Sequence, residues 1–293
     1  MMGIRQQTLR HFGDQDTQVA YRVIGSGPAL LLIHGYPLHG PTYRKIVPNL
    51  RRDYTCVVVD LPGAGESVWS RRTDFGFPAQ ARLLRDLMNH LGHGRYAIVG
   101  HDTGGSVARH LALAAPEQVW KLMLINTEIP NHRPTWIPFY QALLRVPGSI
   151  YALQALLRLR AYRHSEAGFG GCFLDERLIE GEFRELFIDP MIRDHRRAVG
   201  YARYLRGVDW VENDAFATLH GRIACPVSFL WGRLDPTFPC ELARGLVEQF
   251  PNCVGFEVID QARLLPHEEQ PERVVAALRR FLGTRKRGQI HVN

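Results

Sequence analysis

Apolar residues in this chain follow two rhythms. Residues 29–33 (Ala-Leu-Leu-Leu-Ile) form an unbroken apolar run, as expected of a strand buried on both faces. Further strand candidates, apolar but for a single polar residue at most in each, follow at 54–59, 96–99, 119–125, 226–231 and 254–259. The opening part, through residues 19–24, alternates instead and predicts antiparallel strands closed by the turn at 25–28. Between the runs, apolar residues return every three or four positions. Leu83, Leu84, Leu87, Met88 and Leu91 predict a helix over 78–91, residues 106–115 predict a second, and Val274, Val275, Leu278, Phe281 and Leu282 mark a closing helix over 271–282. Strands alternating with helices imply an α/β fold with a mostly parallel sheet and right-handed crossovers.

The rhythm changes in the middle. From about residue 130 to 219 the pattern offers helices, over 137–144, 150–159, 175–187 and 190–205, and no buried strand. The expected organisation is a core domain, residues 1–130 and 220–293, with a helical cap domain inserted at 131–219. A length of 293 residues suits one such α/β unit with an insertion.

Composition narrows the setting. No apolar run approaches the roughly 20 residues of a membrane helix, and residues 1–10 lack the apolar core of a secretory signal, so a cytoplasmic location with no membrane partner is expected. Five cysteines, none in a C-x-x-C pair, predict reduced and mostly buried thiols, with no disulfide frame and no metal site. The net charge is +7. Its one dense basic run, Arg285-Lys286-Arg287, reads as a solvated tail, and no nucleic-acid partner is expected.

The chemistry centres on Gly100-His101-Asp102-Thr103-Gly104-Gly105. It follows an apolar run and opens a helix, the setting of a G-x-nucleophile-x-G elbow. The residue at its tip is Asp102. A carboxylate attacks saturated carbon bearing a leaving group and forms an ester on the protein, whereas attack on a carbonyl would give a labile anhydride. Epoxides and alkyl halides are the natural targets. The plainer alternative is that Asp102 caps the following helix.

Over nearly its whole length the chain resembles the α/β-hydrolase superfamily, and within it the branch with an aspartate nucleophile: epoxide hydrolases, haloalkane dehalogenases and haloacetate dehalogenases. The resemblance rests on His34-Gly35-Tyr36-Pro37 (H-G-x-P), Asp60 to Ser67 (D-x-x-G-x-G-x-S), the G-H-D-x-G-G elbow, Trp231-Gly232-Arg233-Leu234-Asp235 (W-G-x-x-D), and helices where that branch carries its cap. It implies that Asp102 is the nucleophile, that the N–H groups of Tyr36 and Thr103 form the oxyanion hole, and that Asp235 orients a histidine base. His101 and His34 would support the elbow and the oxyanion turn. Tyr201 and Tyr204 stand where that branch keeps phenols that protonate an epoxide oxygen, with Tyr140, Tyr151 and Tyr162 as further choices; Trp136 and Trp210 would line an apolar pocket. Each of these aromatics is alternatively plain packing.

The chain departs from the pattern at the base. Counting back from Glu268-Glu269-Gln270-Pro271, the histidine of G-H-F/W-x-x-E-E-x-P falls on Leu264. Either His267 serves as base from a rearranged loop, or Glu128 does so from the end of a strand, or no base is present. A second departure is Thr103, where haloalkane dehalogenases keep a halide-holding Trp and haloacetate dehalogenases an Arg. The resulting expectation is an epoxide-hydrolase-like enzyme on a small apolar organic substrate. The alternatives are a dehalogenase, or a base-deficient tailoring enzyme or ligand-binding protein. No cofactor is expected, and the chain would be a monomer or homodimer.

Overall fold

The computed structural model describes residues 4–283; the Arg285-Lys286-Arg287 run lies outside them. Its strands are β1 (Arg10–Gly13), β2 (Gln18–Gly25), β3 (Ala29–Ile33), β4 (Thr55–Asp60), β5 (Tyr96–His101), β6 (Val119–Ile125), β7 (Val227–Gly232) and β8 (Cys253–Ile259). They form one sheet in the order β1-β2-β4-β3-β5-β6-β7-β8. The pairs β1–β2 and β2–β4 are antiparallel and the others parallel. The unbroken apolar runs have a simple cause. Successive side chains of a strand point to opposite faces. Leu31 and Ile33 of β3 accordingly join one core with Val57 and Val59 of β4, while Leu30 and Leu32 join another with Cys56 and Val58.

The longer helices are α1 (Phe77–His90), α2 (Thr103–Ala114), α3 (Trp136–Leu143), α4 (Ser149–Arg158), α5 (His195–Arg206), α6 (Trp210–Leu219) and α7 (Pro271–Leu282). Between β6 and β7 the described residues form helices and turns and no strand. Two expected helices of this segment break. The run at 175–187 splits because Glu180 is extended and Gly181 adopts φ +65°, leaving a 3₁₀ turn (Glu176–Ile179) and a π turn (Arg184–Ile188). The run at 190–205 is interrupted at Asp194, which is extended and caps a new helix by accepting from Arg196 N and Arg197 N. α6 escaped the periodicity reading; its signal is Asp209, whose side chain accepts from Val211 N.

The cysteines are all free, but burial was overstated. Cys56 and Cys240 are buried, whereas Cys172, Cys225 and Cys253 are half-buried. Among the described residues no helix is long and apolar enough to cross a membrane.

Candidate active site

β5 ends at His101 and α2 begins at Thr103. The residue between them, Asp102, has φ 51° and ψ −132°, a backbone region that costs a non-glycine residue energy. Surrounding bonds hold it there. Asp102 N donates to Ile125 O (3.1 Å), and Asp102 O accepts from Gly105 N (2.7 Å) and from the Thr127 hydroxyl (2.8 Å). Two glycines make the close approach possible. A Cβ on Gly104 would run into the carbonyl oxygens of Ile33 and His34, and one on Gly35 would overlap the Asp102 carboxylate. The turn after β3 therefore lies directly against the elbow.

This packing brings Tyr36 N and Thr103 N onto one oxygen. Asp102 Oδ1 accepts from both, at 2.8 Å and 2.6 Å. Both backbone donors go to Oδ1, and the Thr103 hydroxyl also favours the charged carboxylate. The Thr103 contact also satisfies a helix-terminal N–H, so the capping alternative has its bond. The Tyr36 contact, from another strand's loop, is not needed by a cap.

Asp102 lines a cavity of ≈ 150 Å³. Its walls are largely apolar: Ile137, Leu144, Leu153, Leu157, Met191, Leu205 and Leu264, joined by Trp136 at the rim. Polar groups are few, among them Tyr36, Thr103, Glu128, Tyr140, Tyr162 and Cys172. Tyr201 and Tyr204 do not line it. Tyr204 OH is bonded to Thr103 Oγ1 (2.7 Å) behind the wall, and Tyr201 OH accepts from Gly65 N (3.3 Å) beside a small neighbouring void. Three phenols line the cavity, Tyr36, Tyr140 and Tyr162; the oxygens of Tyr140 and Tyr162 are 2.7 Å apart. Tyr140 donates to Ala167 O (2.8 Å), so the Tyr162 proton points at the Tyr140 oxygen. Trp210 donates through Nε1 to Gln141 Oε1 (2.9 Å) and Tyr151 is exposed, so neither lines the cavity.

A buried polar cluster supports the floor. Glu128 Oε2 accepts from Ser106 Oγ (2.8 Å), lies 3.0 Å from Thr127 Oγ1, and is 3.8 Å from Arg109 Nη2. Arg109 is itself fully buried, donates to Ser106 Oγ (2.7 Å) and lies over the Phe216 ring at 4.2 Å. Burial pulls its guanidinium down to about 10, against the pull of Glu128. Burial, and then the charge of Glu128, raise the Asp102 carboxyl well above the ordinary range; the bonds from Thr103 and Tyr36 oppose this. Ser106 and Arg109 went unremarked in the sequence. Their signal is a polar pair three apart on the buried face of an otherwise apolar helix.

The acid–base side looks different. Asp235 is buried, with Oδ2 accepting from Asn126 Nδ2 (2.7 Å) and Oδ1 from Thr237 N (2.8 Å). Burial pushes its carboxyl up to about 7. Among the described residues no histidine bonds to it. His267 is fully buried and does not line the cavity. Its Nε2 bonds to Thr42 Oγ1 (2.7 Å), and its ring packs on His101 (centroids 4.6 Å apart). Burial and the neighbouring His101, Arg44 and Lys45 hold it well below the ordinary histidine range, hence neutral. His101 donates through Nε2 to Leu264 O (2.9 Å) and burial lowers it to about 4. His34 bonds Gly35 O (2.8 Å) and accepts from Leu61 N (2.8 Å) under the oxyanion turn. The loop that carries Leu264 is fastened by Glu269, which accepts from Arg263 N (2.7 Å) and Leu174 N (2.6 Å).

Known proteins share this arrangement of elements. The chain is 28% identical over 283 residues to haloalkane dehalogenase 2 of Mycobacterium bovis, covering 92% of this chain and 93% of that one. It is 28% identical over 259 residues to the pimeloyl-[acyl-carrier protein] methyl ester esterase of Chromobacterium violaceum, covering 86% and 94%. The solved structure of the epoxide hydrolase CorEH superposes with a TM-score of 0.78 at 22% identity, covering 94% of this chain and 99% of that one, a likeness of fold. The sequence pattern of the alpha/beta hydrolase fold matches residues 28–271, and the chain belongs to that family, with relatives among its aspartate-nucleophile epoxide hydrolases and dehalogenases.

Proposed function

We propose that this protein opens small apolar epoxides through an ester on Asp102, with the helices between β6 and β7 acting as the cap over the site. The observation that carries this reading is the division of labour within one carboxylate. Oδ1 already occupies the paired N–H hole, and Oδ2 is left free of backbone donors at the floor of an apolar cavity. Oδ2 attacks a ring carbon. The C–O bond breaks toward the ring oxygen, which takes a proton from Tyr162 once that hydroxyl has turned from the Tyr140 oxygen into the cavity. The product of this step is a hydroxyalkyl ester with its carbonyl oxygen in the hole.

Hydrolysis follows at Cγ. A water gives its proton to Glu128 and its oxygen to the Asp102 carbon; negative charge collects on Oδ1. The Cγ–Oδ2 bond then breaks, the departing oxygen takes the proton from Glu128, and a diol leaves. The carboxylic acid left on Asp102 returns a proton to Tyr162. His267 has no part in this scheme, because its ring is bonded to Thr42 behind the cavity. Asp235 holds Asn126, and Asn126 Oδ1 in turn accepts from Gly232 N (3.0 Å).

The test is one turnover of styrene oxide in ¹⁸O-water with enzyme in excess. The diol is expected to carry unlabelled oxygen and the Asp102 peptide to gain one ¹⁸O. Label in the first diol would sink the ester route. Halide release from chloroacetate without diol formation from any epoxide would favour the dehalogenase reading, which draws on the relative from Mycobacterium bovis. A permanent mass adduct would mean that Glu128 does not replace the histidine missing at Leu264.

A further inference from the structure

The two helices that wall the cavity face outward with apolar side chains. On α3, Trp136, Phe139, Ala142 and Leu143 share the exposed face at helical spacing, and Val146 continues it. On α4, Tyr151, Ala155 and Leu159 do the same at intervals of four, flanked by Ala152 and Leu156. Phe139 is 60% exposed, Tyr151 65% and Leu159 57%. Seven of the thirteen large apolar side chains exposed among the described residues belong to this stretch, 136–159. An exposed apolar concentration of this kind marks a surface meant to be covered.

Charge identifies what covers it. No Asp or Glu occurs between Glu128 and Glu166, while five arginines do. Arg133 and Arg163 are taken up by Asp214 and Glu180. Arg145, Arg158 and Arg160 are exposed and form no ion pair among the described residues. Arg145 borders a surface groove with Asp74, Asp209 and Glu212 without pairing to them. A two-fold dimer through α3 and α4 would set Arg158 and Arg160 against two helices that carry no acid; the acids at the border of the face are those of the Arg145 groove. A rigid protein partner would need polar groups for its rim of hydrogen bonds, and the outward positions of α4 up to Arg158 supply none except the Tyr151 hydroxyl. A fluid anionic surface needs only apolar contact and cations.

We infer that α3 and α4 dock on an anionic lipid surface. This departs from the expectation of no membrane partner, which rested on the absence of a spanning run. The inner residues of the same helices, Ile137, Tyr140, Leu144, Leu153 and Leu157, line the cavity. Docking sets its apolar wall next to the hydrocarbon from which an apolar substrate would arrive.

The experiment is co-sedimentation of the full chain with vesicles of phosphatidylglycerol and phosphatidylcholine in equal parts, against phosphatidylcholine alone, at low and high salt. It reads binding without turnover, so its outcome is independent of the Asp102 chemistry. Binding is expected on the anionic vesicles and is expected to fall with salt. The pair Arg158→Glu and Arg160→Glu should weaken it about fivefold or more for each arginine removed. Phe139→Asp with Leu156→Asp should abolish it. Neutralising residues 285–287 to Gln should leave it in place. Failure of the native chain to bind, or binding lost with residues 285–287 and kept in the helix variants, overturns the inference. So does a concentration-dependent dimer, seen by sedimentation velocity, that Phe139→Asp dissolves.

Discussion

The two sides of the cavity floor are built to different standards. On the nucleophile side every atom has its place: a strained Asp102, one oxygen under two N–H groups, and the buried Glu128–Ser106–Arg109 cluster beneath. On the acid–base side the parts are present and disconnected. Asp235 holds an asparagine where the resemblance places a histidine, Leu264 fills the base position, and His267 is locked behind it on Thr42. Forming an ester and hydrolysing it are separate chemical demands. The first needs a free carboxylate oxygen, the second a base beside water. In the reaction proposed above, the first falls to Asp102 and the second to Glu128.

The largest effect is expected on the nucleophile side. Asp102→Asn should remove ester formation by at least about 10³-fold, read as loss of the adduct in intact-protein mass spectra under single turnover. Persistence of the adduct would place the nucleophile elsewhere. Glu128→Gln should then separate the two sides. Ester hydrolysis is expected to slow by about 10²-fold, so the ester accumulates, while alkylation survives. The sign of its pH dependence also follows. The Glu128 charge raises the Asp102 carboxyl; removing it lets Asp102 ionise at lower pH, so the alkylation profile should move to the acid side. An unmoved profile would mean that the two carboxyls do not feel each other.

The smallest effect concerns stability. The folded state holds Asp235 at about 7, above its ordinary value near 3.8. A carboxyl raised by folding contributes stability that is full below the unfolded value and is lost as pH rises through the folded one. Thermal unfolding should therefore shift downward between about pH 4 and pH 7. Leu264→His should weaken that trend, since an imidazolium beside Asp235 favours its ionised form. It should also speed ester hydrolysis in the Glu128→Gln background. No change in either reading would show that position 264 does not reach Asp235.

Much of this was legible in the chain. The apolar runs marked the parallel strands because a strand buried on both faces has no polar side to display. The elbow was legible because Gly100, Gly104 and Gly105 bracket a position where only close backbone packing fits. The absence of histidine at 264 was a matter of counting. What stayed hidden was direction. Tyr201 and Tyr204 occupy the helix expected to supply phenols, yet their hydroxyls are spent on Gly65 N and Thr103 Oγ1; Tyr162, from a short turn of helix, faces the cavity instead. Periodicity gives a face and not the partner waiting for it. Arg109 was hidden for a related reason: an arginine on a buried helix face shows its purpose only when Glu128 and Phe216, distant in sequence, are seen beside it.

The contact between Gly35 and Asp102 sets a demand that does not depend on the chemistry at the elbow. A Cβ at 35 would run first into the Cβ of Asp102 and then into its carboxylate. Every residue other than glycine carries a Cβ, so the claim on that space comes from where the elbow holds position 102 and not from the carboxylate. Position 35 is closed to a side chain whether aspartate or serine stands at 102, and exchanging one nucleophile for the other leaves the demand on its neighbour unchanged.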